Sequence, residues 1–309
     1  MSKYRILSLD GGGIRGIITA ALLQRLNSET RLAGFLEKVD LLAGTSTGGL
    51  LALAIAHGLS PGEMKDIYAK EGEYIFRDTF VHDVESIWRV VGAGYPNKYL
   101  ENVLLQVFGS ATLDQLKKHV LITAFDLDSE AADVRRRTWK PKIFHNFEGE
   151  DSDGRQPAYK VGLYTSAAPT YFPTYGGYVD GGVFANNPSM CALAQSQDMR
   201  FSKSPQLGEV IMLSMGTGTS LTYIEGMRHD WGYAQWVRPI LNLILDGVTG
   251  IADYQCKQIL RENYIRLAPV FPHDVSVPMD AVDMIPYMLH FAENVELGPT
   301  IDWIGKYWM

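Results

Sequence analysis

The chain has 309 residues, 46% hydrophobic and 20% charged, with 28 Lys and Arg against 35 Asp and Glu for a net charge of −7. That length has room for one large core or two small domains, and the composition is that of a globular protein. The acidic balance, with a pI near 5.5, argues against a basic footprint for nucleic acid and gives no electrostatic pull toward anionic lipid.

In chain order, YRILSLD (4–10) reads as a strand, Gly11–Gly13 as a loop, and IRGIITAALLQRLNSET as a helix. FLEKVDLLAGTSTG (35–48) predicts a second strand and a tight glycine-bounded turn, with a helix from Gly49 through LLALAIAHGL. Ser60 is placed to cap the next helix, with Pro61 at its first position. HVLITAFDLD (119–128) is a strand, and KIFHNFEG pairs with it in an antiparallel sense. GEVIMLSMGTG (208–218) runs from strand to turn, and NYIRLAPV (263–270) is the last strand. MDAVDMIPYMLHFAENVEL (279–297) reads as a helix capped by Asp280 and kinked at Pro286.

Strands alternating with helices imply one α/β domain whose mostly parallel sheet is covered on both faces. Its core is expected over about 4–270, with a helical insertion over about 60–118 and a C-terminal helical segment over about 279–309. Cys191 and Cys256 form no C-x-x-C pair and read as free thiols packed as small hydrophobes. The first residues enter a strand pattern directly, with no signal-peptide apolar region, and runs such as LLALAIA (50–56) have core-helix length. The expected location is the cytoplasm. Arg135–Arg137, the only basic run, reads as a solvated loop end.

Two glycine-rich turns carry the chemistry. GTSTG (44–48) matches G-x-S-x-G and stands between an apolar strand and an apolar helix. A serine on such a turn projects its Oγ clear of the backbone, and only small neighbours such as Gly44 and Gly48 permit so tight a bend. Ser46 is therefore a candidate nucleophile for acyl carbonyls, although a serine in a turn without chemistry fits the same letters. An attacked carbonyl becomes an anion and needs preorganised donors. Gly11, Gly12 and Gly13 can present backbone amides to it, at the start of a helix whose positive end favours the same charge. GGGIRG also fits a dinucleotide loop, but Glu37 and Asp40 precede the LLAG run instead of ending it, which argues against that reading.

A serine needs a base. His57, His82, His119 and His145 precede the position expected for a late acid, and His229, His273 and His290 follow it without strand-end context. Asp180, in YVDGGVFANNP (178–188), stands at a strand end before Gly181 and Gly182. Desolvation would raise its pKa and make it a better base, while an ordinary Asp-Gly turn is the plain alternative. Asp10 is expected to accept backbone hydrogen bonds within the glycine loop, and Arg15 to hold that loop or a substrate phosphate. GEDSDG (149–154) fails as a calcium loop, because Gly149 and Lys160 would fill ligand positions. No metal or cofactor is expected.

DGGGIRG (10–16), GTSTGG (44–49) and DGG (180–182), in this order, resemble the patatin-like phospholipase family. YTSAAPTYFP (164–173), LSMGTGT (213–219) and WGYAQWVRP (231–239) are similar to it as well. The resemblance implies a single three-layer α/β domain and a Ser46–Asp180 dyad without a catalytic histidine. It implies an oxyanion hole at Gly11–Gly13, supported by Asp10, Arg15, Gly16, Gly44, Gly48, Gly181 and Gly182. It also implies calcium-independent hydrolysis of phospholipid, lysophospholipid or galactolipid acyl esters, with transient membrane contact and no nucleic acid. DGG stands where the family often has DGA. A cyclic-nucleotide-activated effector, an acyltransferase and a lipid-binding storage protein are alternatives on the same fold. TYFPTY (170–175) and WVRPILNLILDGV (236–248) are candidates for the lipid groove, or for ordinary core.

Overall fold

The computed structural model describes residues 3–76, 93–200, 204–225, 230–236 and 239–309. Its centre is a sheet of β1 (Tyr4–Leu9), β2 (Leu41–Thr45), β3 (His119–Asp126), β4 (Lys140–His145), β5 (Tyr178–Asp180), β6 (Val210–Met215) and β7 (Tyr264–Leu267). The order is β4-β3-β2-β1-β6-β7, with β5 also pairing β3. The pairs from β3 through β7 are parallel, whereas β4 and β5 run antiparallel to β3. Strands β2 and β6 are buried throughout, as parallel strands covered on both faces must be.

Alternate residues feed two cores. Leu7, Leu9, Leu42 and Ile122 pack under α1 (Gly16–Asn27), α2 (Thr47–His57), α3 (Pro61–Ile75), α4 (Asn97–Phe108) and α5 (Ala158–Ser166). Ile6, Leu41, Leu121 and Met212 pack on the opposite face against Ala192 and Leu193 of α6 (Ser189–Ser196) and Cys256 and Leu260 of α7 (Ile240–Leu260). The result is a three-layer α/β domain.

Local signals hold at most element ends. The Ser60 hydroxyl accepts from the Glu63 amide at 3.3 Å, and the Glu63 carboxylate accepts from the Ser60 amide at 2.8 Å, so α3 begins with a closed capping box and Pro61 in its first turn. Two expectations change. Helix α2 begins at Thr47, ahead of Gly49. Residues 279–297 are not one helix: α8 spans Ile285–Asn294 with Pro286 in its first turn, where a missing N–H costs nothing and no kink arises. Asp280 is not its cap; its carboxylate accepts from the Tyr95 hydroxyl at 2.9 Å. No helix among the described residues is long and apolar enough to cross a membrane.

The edge of the sheet anchors the glycine loop through one ion pair. Arg266 of β7 reaches across β6, donating to Ser214 Oγ at 2.7 Å and to both carboxylate oxygens of Asp10 at 3.3 and 2.5 Å. Asp10 is buried at the end of β1. Burial raises its carboxyl, and the Arg266 guanidinium opposes that shift. Asp10 thus takes its hydrogen bonds from a side chain on another strand, not from the loop backbone as expected. Removing one partner strands the other charge out of water. Arg266→Met is expected to cost about 3–5 kcal/mol in urea unfolding, and adding Asp10→Asn should recover part of that loss.

Candidate active site

The GTSTG turn is as tight as its letters require. Ser46 has φ 54° and ψ −127°, a conformation that side-chain-bearing residues rarely adopt and that costs energy to hold. A Cβ on Gly44 would overlap the Gly48 carbonyl, and one on Gly48 would overlap the Leu9 carbonyl of β1. The turn therefore packs backbone against backbone, across the neighbouring parallel strands β1 and β2. The Ser46 amide donates to Thr165 Oγ1 at 2.8 Å. Its side chain makes no capping bond to α2. Ser46 and Asp180 border the same pocket, and the Ser46 hydroxyl favours the charged form of the Asp180 carboxyl.

Sheet register brings that carboxylate in. Strand β3 pairs with β4 along one edge, and with β2 along the other as far as Thr45↔Thr123. The next position on that second edge is Ala124↔Asp180. β5 therefore continues where β2 leaves off to form its turn, and its last residue emerges beside Ser46. Asp180 is 5% exposed. Its amide donates to the Ala167 carbonyl at 3.0 Å, and its Oδ1 accepts from the Gly182 amide at 2.7 Å. Desolvation pushes its pKa up to about 6, against the lowering effect of the Ser46 hydroxyl and the Gly182 amide. A Cβ on Gly181 would overlap the Thr123 hydroxyl, so the DGG bend lies directly on β3.

The glycine loop divides its amides. Gly11 donates to the Asn186 carbonyl at 3.0 Å, and its own carbonyl accepts from Thr217 Oγ1 at 3.1 Å. Its amide is committed to the scaffold and is unavailable as the oxyanion donor expected from the triple glycine. Gly12 and Gly13 border the pocket that holds Ser46 and Asp180. Among the described residues, neither of their amides has a backbone carbonyl partner. Gly13 has φ +60°, and a Cβ there would overlap the Met279 carbonyl. Gly16 lies against Thr47 Oγ1, which joins the starts of α1 and α2. Arg15 Nε donates to the Gly12 carbonyl at 3.3 Å, a contact within the loop that matches one of the two roles expected of it.

The pocket is apolar beyond these groups. Leu50, Ile75, Leu100 and Phe172 line it, as do Leu241 and Leu245, an i, i+4 pair on one side of α7. The TYFPTY and 236–248 segments thus both contribute pocket wall. Among the described residues no histidine lines it. His145 is buried on β4, His273 and His290 are exposed, and His82 and His229 lie outside the described residues. Sequence reasoning did not find Thr165, Asn186 or Met279, whose roles come from distant segments. Arg266 left one trace, a cation inside the strand YIRL. A second, polar cavity lies across the loop, bordered by Arg15, Thr217, Thr219, Asn242 and Asp246.

With this geometry in view, the comparisons with known proteins are consistent. The chain is 31% identical over 320 residues to Patatin-like protein 3 of Arabidopsis thaliana, covering 85% of the chain and 73% of the relative. It is 32% identical over 317 residues to a cGAMP-activated phospholipase of Vibrio cholerae, covering 89% and 84%. A cGAMP-activated phospholipase of Pseudomonas aeruginosa is 30% identical over 289 residues, covering 91% and 83%. The family model described as patatin-like phospholipase matches residues 7–193, more than half of the chain. On the strength of that match and of relatives aligned along most of its length, this chain belongs to the patatin-like phospholipase family.

Proposed function

We propose that the protein hydrolyses acyl esters of phospholipids and related lipids through a Ser46 acyl-enzyme, with Asp180 as the base. The observation that carries this reading is the strained Ser46 sharing an apolar pocket with a desolvated Asp180 carboxyl whose pKa it lowers. Asp180 takes the Ser46 proton as Oγ attacks the ester carbonyl carbon. The amides of Gly12 and Gly13 hold the oxygen that becomes negative. The tetrahedral species collapses, the bond to the leaving alcohol or lysolipid breaks, and Asp180 returns the proton to it. Water then enters with Asp180 again as base, freeing the fatty acid and restoring Ser46. Ser46→Ala and Asp180→Asn are each expected to lower turnover of a short-chain p-nitrophenyl ester by about a thousandfold or more, with unchanged circular dichroism. A fluorophosphonate should label Ser46, and labelling at another residue would remove it from the mechanism. Because the base works as a carboxylate, kcat/KM should climb as pH rises through about 6 and level off above it.

A lipid substrate reaches the pocket along α7. Leu241 and Leu245 line the pocket while Ile240, Leu243 and Ile244 of the same helix and the nearby Trp236 are exposed. Such a face suits shallow insertion at a membrane surface. In the Ser46→Ala background, Leu243→Glu with Ile244→Glu should reduce co-sedimentation with phosphatidylcholine vesicles. In the active enzyme the same pair should slow vesicle hydrolysis while sparing a soluble ester. Equal rates on vesicles would exclude this face as the contact.

A second reading, activation by a cyclic nucleotide, is favoured by the two bacterial relatives whose names carry that property. The polar cavity across the glycine loop suits it. Arg15 borders that cavity together with Asp246, and burial lowers its pKa. Under this reading cGAMP raises ester turnover severalfold. Turnover that is independent of cGAMP, cyclic di-GMP and cyclic di-AMP would leave the enzyme constitutive.

A further inference from the structure

One short segment runs between nucleophile and base. Thr165 Oγ1 accepts the Ser46 amide at 2.8 Å, and the Ala167 carbonyl accepts the Asp180 amide at 3.0 Å. Ser166 lies between these two anchors at the end of α5 and borders the same pocket. It is 7% exposed, and its Oγ is buried with no hydrogen-bond partner. The neighbouring polar groups are engaged: Thr47 and Tyr68 bond to each other, and Asn186 Nδ2 donates to Thr249 Oγ1 at 2.9 Å. A buried hydroxyl without a partner costs stability, and its persistence calls for a functional account.

The geometry points to Ser166 as the positioning residue for the water that deacylates Ser46. This rests on the acyl-enzyme reading given above. An enclosed water is ordered only by two or more polar partners. Asp180 supplies one, accepting the proton that the water loses as its oxygen attacks the acyl carbon. Ser166 Oγ supplies the other, accepting the second O–H and turning the lone pair toward the carbonyl. Collapse of the tetrahedral species breaks the bond to Ser46 Oγ, and Asp180 returns its proton to that oxygen. Every atom is accounted for by the acyl-enzyme and one water.

Methanol distinguishes this role from general support of the pocket. It has one O–H, which Asp180 takes, and a methyl group where water has its second hydrogen. Methanolysis therefore does not use Ser166, while hydrolysis does. With a p-nitrophenyl ester in buffer containing methanol, the ratio of methyl ester to free acid reports the competition and is independent of how fast Ser46 is acylated. Ser166→Ala is expected to raise that ratio about fivefold over wild type. Ser166→Val should raise it similarly, whereas Ser166→Thr, of the same shape but with a hydroxyl, should hold it near the wild-type value. An unchanged ratio in Ser166→Ala, or equal ratios in the Val and Thr variants, would overturn the assignment even if total turnover falls. If the wild type releases neither product, the hydrolase reading itself fails and this inference falls with it.

Discussion

An ionisable carboxylate kept out of water beside a strained serine is the constraint around which this molecule is arranged. Moving the Asp180 pKa from 3.8 to about 6 corresponds to roughly 3 kcal/mol against the ionised form in the folded chain. The sign follows from proton uptake. The folded state holds the proton more tightly than the unfolded state, so this contribution to stability is present below about pH 4 and is lost as pH rises toward 6. At neutral pH the fold therefore carries the cost of a desolvated charge together with that of the Ser46 backbone at φ 54°. Both costs are reasonable where the same features raise the basicity of one group and expose the hydroxyl of the other.

The sheet bears these costs. Parallel strands β1 and β2 deliver the glycine loop and the serine turn to adjacent positions, and the antiparallel β5 takes over the edge of β3 that β2 vacates. Glycine is needed where backbones touch, at Gly44, Gly48 and Gly181, because a methyl group there would part the strands from the turns. The Asp10–Arg266 pair then holds the glycine loop to the far strands. In that pair a bidentate guanidinium occupies both oxygens of Asp10.

The glycine loop separates two environments. On one side lies a mainly apolar pocket, with Ser46, Asp180 and Ser166 among its polar groups. On the other lies a polar cavity edged by Arg15 and several hydroxyls. Gly11 belongs to the second side through its bonds to Asn186 and Thr217, and Gly12 and Gly13 to the first. Three consecutive identical residues thus stand in different surroundings.

The sequence by itself determined the layered α/β architecture, the strands and the serine turn. Strands buried on both faces must be continuously apolar, and a strand-turn-helix bend of this tightness depends on its own few residues, so both are written locally. It also named Ser46 and Asp180, and the family resemblance implied that they meet, but no local pattern shows how. That meeting depends on strand register between segments far apart in the chain, as do the engagement of Gly11 by Asn186, the capture of Asp10 by Arg266 and the unpartnered state of Ser166. Pro286 reads as a kink in a long helix only until tertiary packing shows where that helix begins. The apolar run in 236–248 was equally compatible with core and with surface, because spacing gives a helix its stripe but not its neighbour. Only the folded chain decided that one side of α7 lines the pocket and another faces solvent.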